Sequence, residues 1–332
     1  MKSSVTCLVL IAFLMAAPAY AQRRIVVGYL PIIGFANFFV AMEKGYFAAQ
    51  GLDAKLERFR TGGDMIPHLA KGTIDVGAGS VASSLFNAIS DGLEVKVVGG
   101  TNSQPRGYNA VPLLVRKALF DRGEVKGVAD LKGRKVAINV KAGSAEYLAA
   151  QALAKGNLTV DDVELVTMPF PSRPEALTTG AVDAAILPEP LATRAVKMGA
   201  AVILMRGDEI DPNNQTGILY YGRNFLREPE LGRRFMVALM KAHRELQGEF
   251  YKREDIAQII NKYTGIPVPV VKSATGYYID PDVTLVTDSL MKMQRYYLGR
   301  GYLRYKEPLS LETIYDGSFR DFALKELGPY KR

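Results

Sequence analysis

The chain has 332 residues, the length of about two domains. Apolar residues make up 48% of it and charged residues 23%, which excludes a disordered, collagen-like or polytopic membrane protein. The net charge of +8 is small for this length. It permits contact with anions or acidic partners but does not by itself indicate a nucleic-acid-binding protein.

The first 21 residues have the pattern of a secretory signal peptide. Lys2 precedes an uncharged apolar run over residues 5–17, and Ala19 and Ala21 form a small-x-small cleavage site, so we predict cleavage after Ala21. The alternative is a membrane anchor, for which the run is short. The single cysteine, Cys7, lies inside the run. We therefore expect an exported mature chain without disulfides, a thiol nucleophile or a Cys-ligated metal.

Short β-branched runs alternate with helical patterns up to residue 205. This alternation predicts an α/β fold with mainly parallel sheets. Residues 223–332 have mostly helical patterns, and no Pro/Gly/Ser-rich linker marks a third domain. The predicted strands span 24–30, 54–59, 74–79, 95–100, 111–117, 135–140, 163–168, 182–187 and 201–205.

An internal echo relates the segment at residues 61–79 to the segment at residues 170–188, and its matched positions lie 108 residues apart. The echo pairs Asp64 with Ser172 as helix N-caps, Gly72 with Gly180 as helix ends, and Asp75 with Asp183 at strand starts. One explanation is that all βαβ units look alike. The other, which we prefer, is that the chain contains two similar lobes.

The simplest topology has two similar three-layer α/β lobes joined by a hinge that the chain crosses twice. Residues 1–21 are the signal peptide, 22–110 and 205–332 form lobe 1, and 111–204 form lobe 2. The C-terminal helices have no strand partners and are expected to pack on lobe 1. We place the crossings near 109–112 and 188–201. Two crossings favour closure of the lobes on a ligand in the cleft.

The sequence also resembles a known family over nearly all of the mature chain. The segments EKGYF…GL (43–52), KGTIDVG (71–77) and DLKGRKVA (130–137) together resemble solute-binding proteins of ABC importers. The branch is the one that binds sulfonates, taurine, nitrate and thiamine-pyrimidine precursors. This resemblance implies a type II periplasmic binding fold. It also implies a location in the periplasm and delivery of a small solute to an inner-membrane permease driven by a cytoplasmic ATPase.

Helix N-termini at the carboxyl ends of strands are expected to form the binding site. Such ends carry partial positive charge and unpaired N–H groups, so they bind anions and polar oxygens. Each candidate has an ordinary alternative: a serine can simply cap a helix, an asparagine can form a turn, and an aromatic ring can belong to the core. The candidates are Phe35, Thr61, Ser80, Asn102, Ser144, Tyr147, Phe170, Glu189 and Tyr220.

Glu189, between two prolines, is the sharpest polar candidate. In the cleft it would favour a ligand with an amine or aminopyrimidine; otherwise it is a solvated carboxylate or part of an interlobe salt bridge. We expect no enzyme activity, metal or cofactor. GSVASS (79–84) matches a G-x-S-x-G motif only loosely, and His68 and His243 do not suggest a triad or zinc site. A secreted enzyme and a ligand sensor that signals to a membrane protein remain alternatives. We expect a monomer that does not bind nucleic acid.

Overall fold

The structure is a computed structural model that describes residues 22–331. The predicted signal peptide and its cleavage site therefore lie outside the described residues. None of the helices in residues 22–331 has both the length and the apolar character that a membrane crossing requires.

Two five-stranded sheets form the centre of the molecule. The strands are β1 (Arg23–Tyr29), β2 (Leu52–Arg58), β3 (Val76–Gly79), β4 (Val95–Gln104), β5 (Leu113–Arg116), β6 (Lys135–Ile138), β7 (Glu164–Thr167), β8 (Ala184–Ile186), β9 (Ala201–Met205) and β10 (Asn214–Gly222). The first sheet has the order β2-β1-β3-β10-β4 and the second the order β7-β6-β8-β5-β9. We call the first sheet with its helices lobe 1 and the second with its helices lobe 2.

Helices cover both sheets. They are α1 (Ala36–Glu43), α2 (Tyr46–Ala49), α3 (Gly62–Lys71), α4 (Ser83–Ser90), α5 (Lys117–Asp121), α6 (Ser144–Ala154), α7 (Arg173–Thr179), α8 (Leu191–Lys197), α9 (Gly207–Ile210), α10 (Arg223–Arg227), α11 (Pro229–Glu245), α12 (Glu254–Thr264), α13 (Val268–Lys272), α14 (Thr287–Gly299), α15 (Leu311–Ile314) and α16 (Ser318–Leu327). Short 3-10 helices span Ile33–Phe35, Val128–Leu131, Val160–Asp162, Phe170–Ser172 and Phe250–Lys252.

The sheets are mixed, and four of the five strands in each run in the same direction, in agreement with the prediction of mainly parallel sheets. In lobe 1, β1 pairs in parallel with β2 and β3, whereas β10 is antiparallel to β3 and β4. In lobe 2, β6 pairs in parallel with β7 and β8, whereas β5 is antiparallel to β8 and β9. The antiparallel strand of each sheet is adjacent in sequence to a crossing between the sheets, which brings it in with the opposite direction.

Strand β10 and the second crossing differ from the sequence-based expectation. β10 was not predicted, although Ile218, Leu219 and Tyr221 are fully buried in the middle of the first sheet. β9 still pairs with β5, so the chain leaves the second sheet only after Met205. The second crossing therefore lies at residues 206–213 and not near 188–201.

The two halves of the internal echo adopt matching structures. Gly72 and Gly180 end α3 and α7 with φ of 75° and 78°, a conformation that glycine adopts without strain. The carboxylate of Asp75 accepts the N–H of Val26 at 2.7 Å, and that of Asp183 accepts the N–H of Lys135 at 3.1 Å. Each aspartate thus ties its strand to the parallel neighbour.

The predicted N-cap pair is correct for one member only. Ser172 is the N-cap residue of α7, as predicted, although its side chain makes no capping hydrogen bond. Asp64 is not an N-cap: it is the third residue of α3, whose N-cap is Thr61.

The C-terminal helices pack on lobe 1, as predicted, and one of them also reaches lobe 2. α11 lies against α1, α2 and α16 and buries an apolar face that includes Phe235, Leu239 and Ala242. The spacing of these residues places them on one side of the helix. α14 lies against α4 and β10 of lobe 1 and also against α6 of lobe 2.

Candidate functional site

A cavity of about 210 Å³ lies between the lobes. Strand ends and helix N-termini from both sheets line it, which is where open α/β sheets bind ligands. The lobes also touch beside it, because the N–H of Ser83 donates to the carbonyl of Ala142 at 3.0 Å, and Ala82 and Gly143 form an isolated antiparallel bridge. The structure is thus a closed arrangement of the two lobes.

The start of α3 forms the lobe 1 wall. Thr61 caps this helix: its hydroxyl accepts the N–H of Asp64 at 3.3 Å, and the Asp64 carboxylate accepts the N–H of Thr61 at 3.0 Å. Gly62 and Gly63 follow and line the cavity. The first N–H groups of a helix have no partner within it, and glycine leaves them unobstructed, so this wall offers donors to an anion.

Tyr220 lies behind this wall and does not line the cavity, contrary to the prediction. Its hydroxyl donates to the carbonyl of Gly62 at 3.2 Å, and the side chain is almost fully buried. A Cβ atom on Gly79 would lie 2.7 Å from that hydroxyl and 2.9 Å from the Cα of Gly62. Tyr220 therefore supports the close contact between β3 and the start of α3.

Phe35 and Asn102, two of the candidate site residues, line the cavity on its lobe 1 side. The Asn102 side chain is fixed at both ends, because Nδ2 donates to the carbonyl of Gly34 at 3.2 Å and Oδ1 accepts from the Thr216 hydroxyl at 3.0 Å. Phe35 is buried and packs edge-on against Phe38, with 5.8 Å between ring centroids. Their contact with a ligand stays a prediction.

Ser80 and Ser144 also line the cavity, but neither caps a helix. α4 begins only at Ser83, with Ala82 at the N-cap position, and Ser144 is the first residue of α6 after the N-cap Gly143. The capping alternative is therefore excluded for both serines. Contact of their hydroxyls with a ligand stays a prediction.

Phe170 forms an aromatic wall in lobe 2, with a buried arginine behind it. Phe170 lines the cavity, and the Arg173 guanidinium carbon lies 4.5 Å from its ring centroid. Arg173 is fully buried and donates to the carbonyls of Ile186 and Met168. Burial lowers the pKa of this guanidinium. No salt bridge involving Arg173 occurs in residues 22–331, so its charge is balanced only by dipoles and the ring.

Tyr147 does not line the cavity, which corrects a second prediction. Its hydroxyl donates to the Asp211 carboxylate at 2.8 Å, and its ring packs edge-on against Tyr296 at 5.5 Å. Burial and the neighbouring Asp211 raise the pKa of the Tyr147 hydroxyl above its usual range. The residue joins α6 of lobe 2 to the crossing segment.

Glu189 does not line the cavity either; it is buried at the hinge. Its carboxylate accepts from the Thr193 hydroxyl at 2.8 Å, the Thr193 N–H at 3.1 Å and the Thr275 hydroxyl at 3.0 Å. Its carbonyl accepts from the Tyr277 hydroxyl at 3.0 Å, and its N–H donates to Ala110. Burial raises the pKa of the carboxyl. Glu189 is therefore a structural residue between the lobes. It is held there by hydrogen bonds from hydroxyl groups and not by a salt bridge.

Two cationic side chains that the sequence analysis did not select also line the cavity. Arg60 lies just after β2 and Lys141 just after β6. Both are exposed, and neither forms an ion pair with the described part of the chain. Both residues follow strands at the carboxyl edges of their sheets, and this placement in the sequence could have identified them as candidate ligand-binding residues. Tyr277, which also lines the cavity, had no comparable signal.

The cavity is positive and otherwise mainly apolar. None of the described residues that line it is Asp, Glu or His. The apolar lining includes Leu30, Ile32, Val111, Leu148 and Ile186. Across residues 22–331, no group of three or more His, Cys, Asp or Glu side chains is arranged to hold a metal ion.

Two similar α/β lobes around a central cavity form the two-lobed fold that periplasmic binding proteins have. The sequence profile of the NMT1-like family matches residues 19–261, so the chain belongs to this family. The alkanesulfonate-binding protein SsuA from Xanthomonas axonopodis pv. citri, solved with bound MOPS, has a TM-score of 0.69 at 19% identity. The superposition covers 89% of this chain and 99% of SsuA, and it shows a shared fold.

Two curated relatives are similar in sequence. One, from Escherichia coli (strain K12), is named as a protein that binds aliphatic sulfonates. It is 28% identical over 216 residues, which cover 65% of this chain and 63% of that protein. The riboflavin-binding protein RibY of Chloroflexus aurantiacus is 27% identical over 233 residues, 68% of this chain and 62% of RibY. The chain thus spans just under two thirds of the length of these relatives, whose names specify chemically different ligands.

Proposed function

We propose that the protein is the periplasmic substrate-binding component of an ABC importer for a small organic anion. The observation that carries this proposal is the charge of the cavity: Arg60 and Lys141 line it, and no acidic side chain among the described residues does. Glu189, the feature that favoured an amine ligand, is buried at the hinge and bonded to threonines. The geometry therefore favours a ligand whose recognised group is negative.

The apolar lining supports an organic ligand over a bare inorganic anion. Phe35 and Phe170 provide aromatic surfaces in the two lobes, and burial of apolar ligand surface against them stabilises the complex. A sulfonate or carboxylate group accepts hydrogen bonds from Arg60, Lys141 and the N–H groups at the start of α3. Thr61, Ser80, Asn102 and Ser144 supply further polar contacts. The name of the E. coli relative supports sulfonates as the first class to test.

The cellular role rests on the relatives and on the N-terminal sequence. Export through a signal peptide cleaved after Ala21 would place the mature protein in the periplasm. There it would act as a monomer without a cofactor and deliver its solute to an inner-membrane permease with a cytoplasmic ATPase. The similarity to binding proteins supports this role.

Titration calorimetry with a matched ligand pair tests the proposal. Protein that has been unfolded, washed and refolded is titrated with benzenesulfonate, with its neutral analogue benzenesulfonamide, and with nitrate. We expect binding of the sulfonate, at least tenfold weaker binding of the sulfonamide, and weak binding of nitrate, because only the first has both charge and apolar surface. An alkanesulfonate and a small aromatic carboxylate extend the series.

Charge variants connect that result to the cavity. Arg60→Gln and Lys141→Gln should each weaken sulfonate binding about tenfold while leaving sulfonamide binding unchanged. Lys155→Gln is the matched control, because it removes an exposed charge of lobe 2 that does not line the cavity. Equal affinity for the sulfonate and the sulfonamide, or equal effects of the three substitutions, would contradict the proposal.

Turnover of the bound anion would favour the secreted-enzyme alternative. A neighbouring sensor-kinase gene without a permease gene would favour the sensor alternative.

A further inference from the structure

Glu146 lies in the first turn of α6, beside the cavity, and is completely buried. One oxygen of its carboxylate, Oε2, accepts the N–H of Ala142 at 2.8 Å. Ala142 has a φ of 56°, a left-handed conformation that is unfavourable for alanine and needs such support. The neighbouring Lys141 and Ala142 itself line the cavity. Glu146 therefore fixes the loop that presents the lobe 2 cation to the cleft.

The other oxygen of the same carboxylate binds the C-terminal part of the chain. Oε1 accepts from the hydroxyls of Tyr296 at 3.0 Å and Tyr302 at 2.9 Å. The segment that carries them is anchored on lobe 1: the carbonyl of Tyr302 accepts from the Asn87 side chain of α4 at 3.0 Å, and the Tyr297 hydroxyl donates to the Val81 carbonyl at 3.0 Å. We call Glu146, Tyr296 and Tyr302 the tyrosine latch.

The latch is the buried part of a larger set of contacts between residues 296–302, at the end of α14 and just after it, and lobe 2. Arg300 and Asp161 form a two-pronged ion pair at 2.7 and 2.9 Å, but the Asp161 side chain is 68% exposed. Exposed ion pairs contribute little to stability, since water competes for both charges. Water does not compete in this way for the buried Glu146 carboxylate in the closed protein. Its hydrogen bonds come from the two tyrosines and Ala142.

We propose that Glu146 is a positioning residue that couples closure of the lobes to the shape of the cleft. Closure brings both tyrosine hydroxyls to Oε1, which orients the carboxylate so that Oε2 holds Ala142 and thereby places Lys141. Opening separates the tyrosines from Glu146 and releases the loop. The consequence for the ligand rests on the binding role proposed above, but the coupling itself belongs to the protein without ligand.

The coupling can be measured as a distance between spin labels without any ligand. The chain without residues 1–21 contains no native cysteine. Asp53→Cys and Glu164→Cys place labels at exposed positions on the outer strands of the two sheets, β2 and β7. The test variants are Tyr296→Phe/Tyr302→Phe, which removes only two hydroxyls, and Glu146→Gln. The matched control is Tyr305→Phe, whose hydroxyl donates to Gln294 within the same C-terminal region at 3.0 Å.

We expect the wild type and Tyr305→Phe to share a short distance, and the double tyrosine variant to shift toward a longer one. Hydrogen bonds to a charged group change such an equilibrium about tenfold or more. Hydrogen exchange of residues 139–143 should accelerate in the same variants. An unchanged distance in the folded double variant, or a wild type that shows only the long distance, would overturn the proposal. Because no ligand is used, failure of the proposed function would leave this result unaffected.

Discussion

Lobe 1 and lobe 2 have equivalent strand orders and a matching aspartate, yet they present different groups to the cleft. In lobe 1, the turn before α3 consists of Thr61, Gly62 and Gly63 and offers backbone N–H groups. In lobe 2, the equivalent turn contains Phe170 and Pro171, followed by the buried Arg173. Proline has no N–H to donate, so this turn provides an aromatic surface with a cation behind it. The comparison teaches that the repeat determines the scaffold, whereas a few residues at strand ends determine which groups face the cleft.

The largest expected difference between the lobes is the loss of stability at low pH, because both histidines of the chain lie in lobe 1. His243 is buried; Nδ1 donates to the carbonyl of Asp280 and Nε2 accepts from Asn37, each at 2.8 Å. Burial lowers the pKa of His243 from 6.5 to about 4. The unfolded chain therefore binds a proton that the folded protein does not between pH 6.5 and 4. Lowering the pH through this window should cost about 3 kcal/mol of stability.

Urea unfolding at pH 7 and pH 4.5 checks this expectation. In His243→Gln, whose amide can make both hydrogen bonds without a charge, the loss on acidification should be clearly smaller than in the wild type. His68→Gln is the control, since His68 lies on the exposed side of α3. A loss of the same size in wild type and His243→Gln would sink this explanation.

A second difference concerns the glycines at the two rims of the cleft. Gly79→Ala in lobe 1 should reduce the free energy of unfolding by about 2 kcal/mol, because its Cβ would press on the Cα of Gly62 and the Tyr220 hydroxyl. Gly143→Ala in lobe 2 should cost less than about 1 kcal/mol. Its nearest neighbour is a methyl of the exposed Val140, which can turn away, and its φ of −119° suits alanine. Equal losses in urea unfolding would show that the two rims are not packed differently.

The smallest expected difference concerns the matched aspartates. Asp75 accepts from the N–H of Val26 and the side chain of Asn224, both at 2.7 Å, so an asparagine there points its own NH₂ at a donor. Asp75→Asn should cost about 1–2 kcal/mol in the free energy of unfolding. Asp183→Asn should cost less, since its Arg116 partner lies at 3.4 Å and water reaches both side chains. A larger loss for Asp183→Asn in denaturant titrations would reverse this interpretation.

Local patterns were sufficient to predict the lobes, because the strand runs, the helix-ending glycines and the echo of Asp75 in Asp183 are properties of neighbouring residues. β10 was missed because it carries no alternation: Ile218, Leu219 and Tyr221 are buried on both faces, and its place depends on strands far away in sequence. Its direction, and hence the mixed character of the sheet, also depends on the path of the chain through lobe 2.

Six of the nine candidate residues line the cavity. Five of them follow strand ends, which is a local signal, whereas Asn102 lies within the last part of β4. Tyr147, Glu189 and Tyr220 do not line the cavity, because their positions depend on partners such as Asp211, Thr275 and Gly62 that no local pattern identifies. Arg60 and Lys141 satisfied the strand-end rule but were overlooked in favour of hydroxyl and aromatic groups.

The central claim is that the cleft encloses an organic anion between the two lobes. A crystal structure with 4-bromobenzenesulfonate tests it most directly, since the anomalous signal of bromine and the density of the sulfonate locate both ends of the ligand. The account predicts the sulfonate within hydrogen-bond distance of Arg60, Lys141 or the N–H groups of Gly62 and Gly63, with the ring between Phe35 and Phe170. A sulfonate bound away from these groups, or a cleft left empty at saturating ligand, would contradict it.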